Sequence, residues 1–142
     1  MNFLEFTAAF KHFDECFKKK MDEVANEIGV TRQEAQVIAF LYNFSEFDTA
    51  KDMCEKTRLS KAYVSKAVDT LIEKGYVEAV TEKNDRRYVH MKLTKDAVKK
   101  AEIMRKYLKE FFMKIIENID TNEMNVFYSV CMQIFENSKH IM

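Results

Sequence analysis

The chain contains no proline and only two glycines in 142 residues. With so few helix breakers and left-handed turn formers, the sequence favours long helices and few elaborate loops. Cysteine is scarce as well. Cys16, Cys54 and Cys131 are too few and too scattered for a disulfide framework or a paired-cysteine metal site. Each falls in a helical apolar pattern and is expected to act as a small buried hydrophobe. The three histidines, His12, His90 and His140, are widely spaced, which excludes a clustered histidine–carboxylate metal centre. No apolar run approaches the roughly 20 residues of a membrane span. The opening "MNFLEFTAAFKHFDECFKKK" is broken too often by charge to be a secretory signal. A cytoplasmic location is expected, with no membrane partner. There is no glycine-rich phosphate loop, no metal-ligand spacing and no local nucleophile–base pair, so the sequence gives no support for an enzyme and implies no cofactor.

What is present is a heavy apolar complement. Apolar residues make up 47% of the chain, including 12 phenylalanines and 9 methionines. That suffices for a real core, and the length suits one domain whose ends can serve a dimer. In residues 3–28, Phe3, Phe6, Phe10, Phe13, Phe17, Met21, Val24 and Ile28 recur at steps of three and four, the mark of an amphipathic helix. Gly29 follows as its C-cap. Thr31 and Glu34 have capping-box spacing and open a second helix carrying Ala35, Ile38, Ala39 and Leu41. Asp48 or Thr49 caps a short helix, "TAKDMCEK". After the brief turn "TRL", Ser60 caps "KAYVSKAVDTLIEK", which ends at Gly75. In that helix Val64, Val68 and Leu71 are expected to face inward, leaving Ala62, Tyr63, Ser65, Lys66 and Asp69 outside.

Two strand-like runs follow, "YVEAV" and "RYVHMKL", joined by the polar loop "TEKND". In the second, Val89, Met91 and Leu93 alternate with Tyr88, His90 and Lys92, which marks a strand with one buried face. Thr94 caps a long helix with Ala97, Ala101, Met104, Leu108, Phe111, Phe112, Ile115 and Ile119 on its apolar side. Asp120 and Glu123 form a further capping box, before a last helix bearing Met124, Phe127, Tyr128, Cys131, Ile134 and Phe135. The order is three helices, a hairpin, then two helices. A short helix, tight turn, second helix and hairpin make a mainly α (α+β) winged helix-turn-helix.

The formal net charge is zero, with 23 basic and 23 acidic residues, but the distribution is uneven. From Asp48 to Lys99 there are 12 Lys/Arg against 9 Asp/Glu, which leaves 11 against 14 elsewhere. The excess gathers at Arg58, Lys61 and Lys66, with no acid among them. A second basic feature, Asp85-Arg86-Arg87, sits on the turn before the last strand. Paired arginines on a projecting tip suit phosphate or a DNA groove, and they also suit plain solvent.

The stretch "TAKDMCEKTRLSKAYVSKAVDTLIEKGYVEAVTEKNDRRYVHMKLT" resembles the signature of the MarR family of transcriptional regulators. It has the short helix, the "LS" entry to the recognition helix, the acidic-x-Arg wing and the Leu93-Thr94 start of the next helix. Upstream, "VTRQEAQVIAFL" is similar to the family's second helix. The chain departs from the family where Arg58 stands in a turn that often holds glycine, and at "LTKDA", where a glycine is common.

The resemblance implies a homodimer in which residues 1–30 and 101–142 intertwine as a dimerisation body, while residues 31–100 form the DNA-binding lobe of a single 1–142 domain. It implies a regulator that reads a pseudo-palindromic double-stranded operator, a repressor released by a small aromatic ligand. Ser60, Lys61, Tyr63, Ser65 and Lys66 become candidates for the major groove. Asp85, Arg86 and Arg87 become candidates for the wing, Arg87 entering the minor groove and Asp85 orienting it. Thr49 and Arg58 are candidate phosphate contacts. Phe10, Phe13, Phe40, Phe44 and Met104 are candidates to line a ligand pocket, although apolar stripes at helical spacing are more often core. Two alternatives stay open. One is a thiol-based redox-sensing repressor using Cys16, which lies nearer the second helix than the peroxide-sensing pattern has it. The other is a winged-helix protein-interaction module without DNA binding.

Overall fold

The computed structural model describes residues 2–141. The order of elements is α1 (Phe3–Glu27), α2 (Arg32–Asn43), α3 (Ala50–Thr57), α4 (Lys61–Glu73), β1 (Val77–Thr81), β2 (Val89–Leu93), α5 (Lys95–Ile115) and α6 (Thr121–Lys139). Two compact units divide between Lys109 and Glu110.

Helix boundaries follow local chemistry. Thr31 and Glu34 form a reciprocal capping box at the start of α2, as do Thr49 and Asp52 at α3 and Asp120 and Glu123 at α6. Asn2 caps α1 and Ser60 caps α4 through their side chains. At the end of α4, the Gly75 amide donates to Ile72 O and the Tyr76 amide to Leu71 O. That Schellman closure needs a left-handed residue, and Gly75 supplies it at φ +75°. Gly29 closes α1 in the same way.

In the first unit, α2, α3 and α4 pack with the C-terminal end of α1 around Met21, Val24, Ile38, Met53, Val64 and Leu71, all buried. Each fully buried aliphatic side chain contributes about 2 kcal/mol of transfer free energy. Among the described residues every buried side-chain polar atom has a hydrogen-bond partner. The antiparallel hairpin pairs Val77 with Leu93, Ala79 with Met91 and Thr81 with Val89. The Met91 amide also donates to Asp48 O at 2.8 Å, tying β2 to the segment ahead of α3.

Several expectations need adjustment. The strands are shorter than the sequence pattern, because Tyr76 belongs to the helix closure, and Arg87 and Tyr88 precede the ladder. On β2 only Met91 is fully buried, while Val89 lies exposed near the tip. In α4, Ala67 joins Val64 and Leu71 inside, and Val68 is half-buried. α5 stops at Ile115, so Ile119 lies outside it, beyond the left-handed Asn118 at φ +64°. All three cysteines are half-buried rather than buried. A helical stripe marks the face a residue occupies, and whether that face is covered is a separate matter.

α1 shows this most clearly. Met21, Val24 and Ala25 are buried, but Phe3, Leu4, Phe10, Phe13 and Phe17 are exposed. In the second unit α6 has no buried residue, and Phe127, Val130, Ile134 and Phe135 are all exposed.

Candidate nucleic-acid interface

α3, the turn at Arg58 and α4 form a helix-turn-helix. Arg58 is left-handed at φ 60°, the conformation for which glycine is the usual residue, and this places a charged side chain where the chain reverses. Thr49, at the start of α3, is half-buried, and its hydroxyl donates to Asp52 Oδ2 at 2.7 Å. The Tyr63 amide donates to Ser60 Oγ at 3.1 Å, and α4 begins with no acidic residue in its first turn. Ser60, Lys61, Ala62, Ser65 and Lys66 are exposed and share the N-terminal half of this helix. A helix N-terminus with free amides and no competing carboxylate favours an anion.

α4 is held from behind. Besides its apolar contacts, Lys74 at its C-terminal end donates to Glu34 Oε2 at 2.7 Å, and Glu34 also accepts from the Thr31 amide. Burial pushes the Glu34 carboxyl up, and the Lys74 ammonium, the Thr31 amide and the Thr70 hydroxyl pull it down, with a lowered value as the net result. At the other end the Tyr63 hydroxyl donates to Gln36 Oε1 of α2. Tyr63 is therefore half-buried, unlike the other four candidates of this helix. Its hydroxyl anchors α4 to α2.

On the hairpin tip, Arg87 donates through Nε to Asp85 Oδ1 at 2.9 Å and through a terminal nitrogen to Oδ2 at 2.8 Å. The Arg87 amide adds a third bond to Oδ1 at 3.0 Å. The Arg87 side-chain and amide bonds hold the Asp85 carboxyl below its ordinary value. The arginine side chain is nevertheless 85% exposed while Asp85 is 26% exposed. A guanidinium oriented by an acid yet open to solvent is prepared for a partner of negative potential. Arg86 is exposed beside it.

A family model described as the MarR family matches residues 28–87, a segment running from the end of α1 to Arg87. Solved structures extend the likeness of fold. An S. aureus MepR–DNA complex superposes at TM-score 0.81 with 15% identity, over 93% of this chain and 95% of that one. S. aureus MepR in its DNA-binding conformation gives 0.83 with 16% identity, over 93% and 97%. A MarR transcriptional regulator from Methanosarcina mazei Go1 gives 0.78 with 19% identity, over 96% and 98%. No curated protein is significantly similar in sequence.

Of the helix-turn-helix and hairpin-tip candidates, Arg58, Ser60, Lys61, Ser65, Lys66, Arg86 and Arg87 are exposed, and Thr49, Tyr63 and Asp85 are half-buried. The five apolar candidates do not share one environment: Phe40 and Met104 belong to the core, whereas Phe10, Phe13 and Phe44 are exposed. Phe10 meets Phe6 in a tilted ring contact at 4.7 Å between ring centres, and Phe44 meets Phe40 likewise at 5.3 Å. Among the described residues no helix is long and apolar enough to cross a membrane, and no cluster of His, Cys, Asp or Glu suits a metal ion.

Sequence reasoning missed two groups. Gln36 and Glu34 brace α4 from 27 and 40 residues away. His90, considered only as a metal ligand, bridges two carboxylates at the base of the hairpin tip. The alternation on β2 places His90 on the polar face, but its partners are fixed only by the fold.

Proposed function

We propose that the protein is a dimeric, sequence-specific DNA-binding transcriptional regulator, a repressor released when a small aromatic ligand binds. The observation that carries this reading is the pairing of an acid-free, exposed N-terminal half of α4 with a wing arginine that Asp85 orients but does not bury. In this reading α4 enters the major groove, with Ser60, Lys61, Ser65 and Lys66 toward base edges and phosphates. Tyr63 sets the angle of the helix through Gln36. Arg87 enters the adjacent minor groove, where narrow A·T-rich stretches concentrate negative potential, and Arg86 meets a phosphate. Arg58 and Thr49 flank the groove as phosphate contacts. The DNA-bound MepR structure has this fold, which supports the assignment.

Residues 1–30 and 101–142 supply the dimerisation helices in this proposal, residues 31–100 the DNA-binding lobe. The exposed phenylalanines of α1 and the exposed apolar residues of α6 are the supporting features, since each helix leaves a row of large apolar side chains in water that a monomer rarely exposes. Two-fold symmetry then sets two α4 helices about one DNA turn apart, on a pseudo-palindrome.

Binding to a mixed-sequence duplex tests the electrostatic core of the reading. Lys61, Lys66, Arg86 and Arg87 from two chains release condensed counterions. The logarithm of affinity is expected to fall with the logarithm of salt concentration with a slope of about −4 to −7. An affinity indifferent to salt, or no duplex binding at low salt by folded protein, contradicts it and favours a protein-interaction module.

A further inference from the structure

His90 lies on β2, behind the wing tip, and both of its ring nitrogens are taken up by carboxylates. Nδ1 is 2.6 Å from Asp48 Oδ1, and Nε2 is 2.8 Å from Glu82 Oε1. Asp48 belongs to the segment that caps α3, and Glu82 to the loop that leaves β1. An ionised carboxylate only accepts hydrogen bonds, so both ring nitrogens must donate, and only the imidazolium can do so. The same Asp48 accepts the Met91 amide through its backbone oxygen. Backbone and side chain therefore tie β2 to the start of the helix-turn-helix at one place.

We propose that protonated His90 is a positioning residue of the DNA-binding wing, clamping the hairpin to the helix-turn-helix so that Arg87 is presented at a fixed angle to α4. The neutral ring donates to one carboxylate only and turns a lone pair toward the other. The clamp then opens on one side, and the two carboxylates lose the cation that lay between them. The wing gains freedom, and DNA binding must then restrict it at an entropic cost.

The surroundings support charging of the ring. Asp48 first, then Glu82, raises the His90 pKa above its ordinary value, with a smaller opposing effect of burial. On its own strand Lys92 shares its face, opposite Glu78, and Val80 is the direct cross-strand neighbour. The charged residues Arg32 and Glu34 of α2, which packs on β2, are engaged by Asp22 and Lys74. Because the folded-state pKa is raised, the clamp is complete below the ordinary histidine value of about 6.5 and is lost as pH rises through the folded value. DNA affinity is expected to fall in the same direction.

This inference rests on the DNA-binding reading, so its test has one arm without DNA. In the first arm the His90 ring is titrated by NMR in the full chain. A midpoint above that of an ordinary histidine, lowered in Asp48→Asn and in Glu82→Gln, is expected; an ordinary midpoint unmoved by either substitution overturns the clamp. In the second arm, duplex affinity is measured at constant salt from about pH 6 to about pH 9. The wild type is expected to lose about fivefold. His90→Gln, which keeps a donor but not the charge, is expected to hold one affinity throughout, near that of the wild type at high pH. In an Arg87→Ala background the pH dependence is expected to vanish, because the histidine acts through the wing. Persistence of the full pH effect in that background overturns the positioning role and makes His90 a direct phosphate contact. Failure of the wild type to bind any duplex, with the ring still titrating high, overturns the DNA-binding reading and leaves the clamp standing.

Discussion

Arg87→Ala is expected to weaken duplex binding by about 10- to 100-fold while leaving the melting temperature unchanged. The two expectations come from one geometry. The side chain is 85% exposed and pairs with Asp85, so its loss removes a surface ion pair, which contributes little to stability. What binding loses is a guanidinium already oriented by the two bonds it donates to the Asp85 carboxylate, which the Arg87 amide also holds. Part of the entropy of fixing that long side chain is therefore spent before DNA arrives. Arg87→Lys is expected to recover little, since an ammonium cannot make the planar two-toothed pair with Asp85. Asp85→Asn keeps the shape but removes the charge, and should fall between wild type and alanine. Fluorescence anisotropy with a short duplex, alongside a thermal melt of each variant, checks all three. Equal DNA affinity across the series would remove the wing from the interface.

Ile134→Glu is expected to convert a dimer into a monomer and to lower DNA affinity by about 100-fold or more. Ile134 is 52% exposed on α6, in line with Val130 at 46%, one turn before it. In a lone chain a glutamate there is unremarkable. In a dimer it must be desolvated against the apolar face of a second chain, without a cation on either residue's turn to receive it. The affinity loss follows because a single lobe reads one half-site and forfeits the linked second contact. Sedimentation equilibrium gives the mass, and circular dichroism checks that the helices survive. Glu136→Gln on the same helix serves as the control and should stay dimeric. A wild type that sediments as a monomer, or an Ile134→Glu variant that remains a dimer, would place the interface elsewhere.

The elements were legible in the sequence wherever their determinants are local. Thr31 with Glu34 and Asp120 with Glu123 are three residues apart and form capping boxes in the structure. Gly29 and Gly75 stand where a left-handed residue closes a helix. Ser60 caps α4, and Asp85 holds Arg87 two residues away. What could not be read depends on the fold bringing distant residues together. Asp48 meets His90 across 42 residues, Glu34 meets Lys74 across 40, and Gln36 takes the Tyr63 hydroxyl across 27. No periodicity encodes such pairs. The seam of α1 was legible as a stripe, and in the structure Phe3, Phe10, Phe13 and Phe17 along it are exposed. The half-burial of Cys16 follows the same logic, with its sulfur 3.6 Å from His12 Nε2 on an uncovered stretch of helix.

The most direct test of the central claim is selection of bound sequences from a pool of random duplex DNA, with the purified 142-residue chain at moderate salt. Enrichment of a pseudo-palindrome whose half-sites lie about 10 base pairs apart, with A·T-rich flanks where the wings reach, is the expected result. A pool that stays random after repeated rounds, with the protein folded and dimeric throughout, would contradict sequence-specific reading of DNA by this surface.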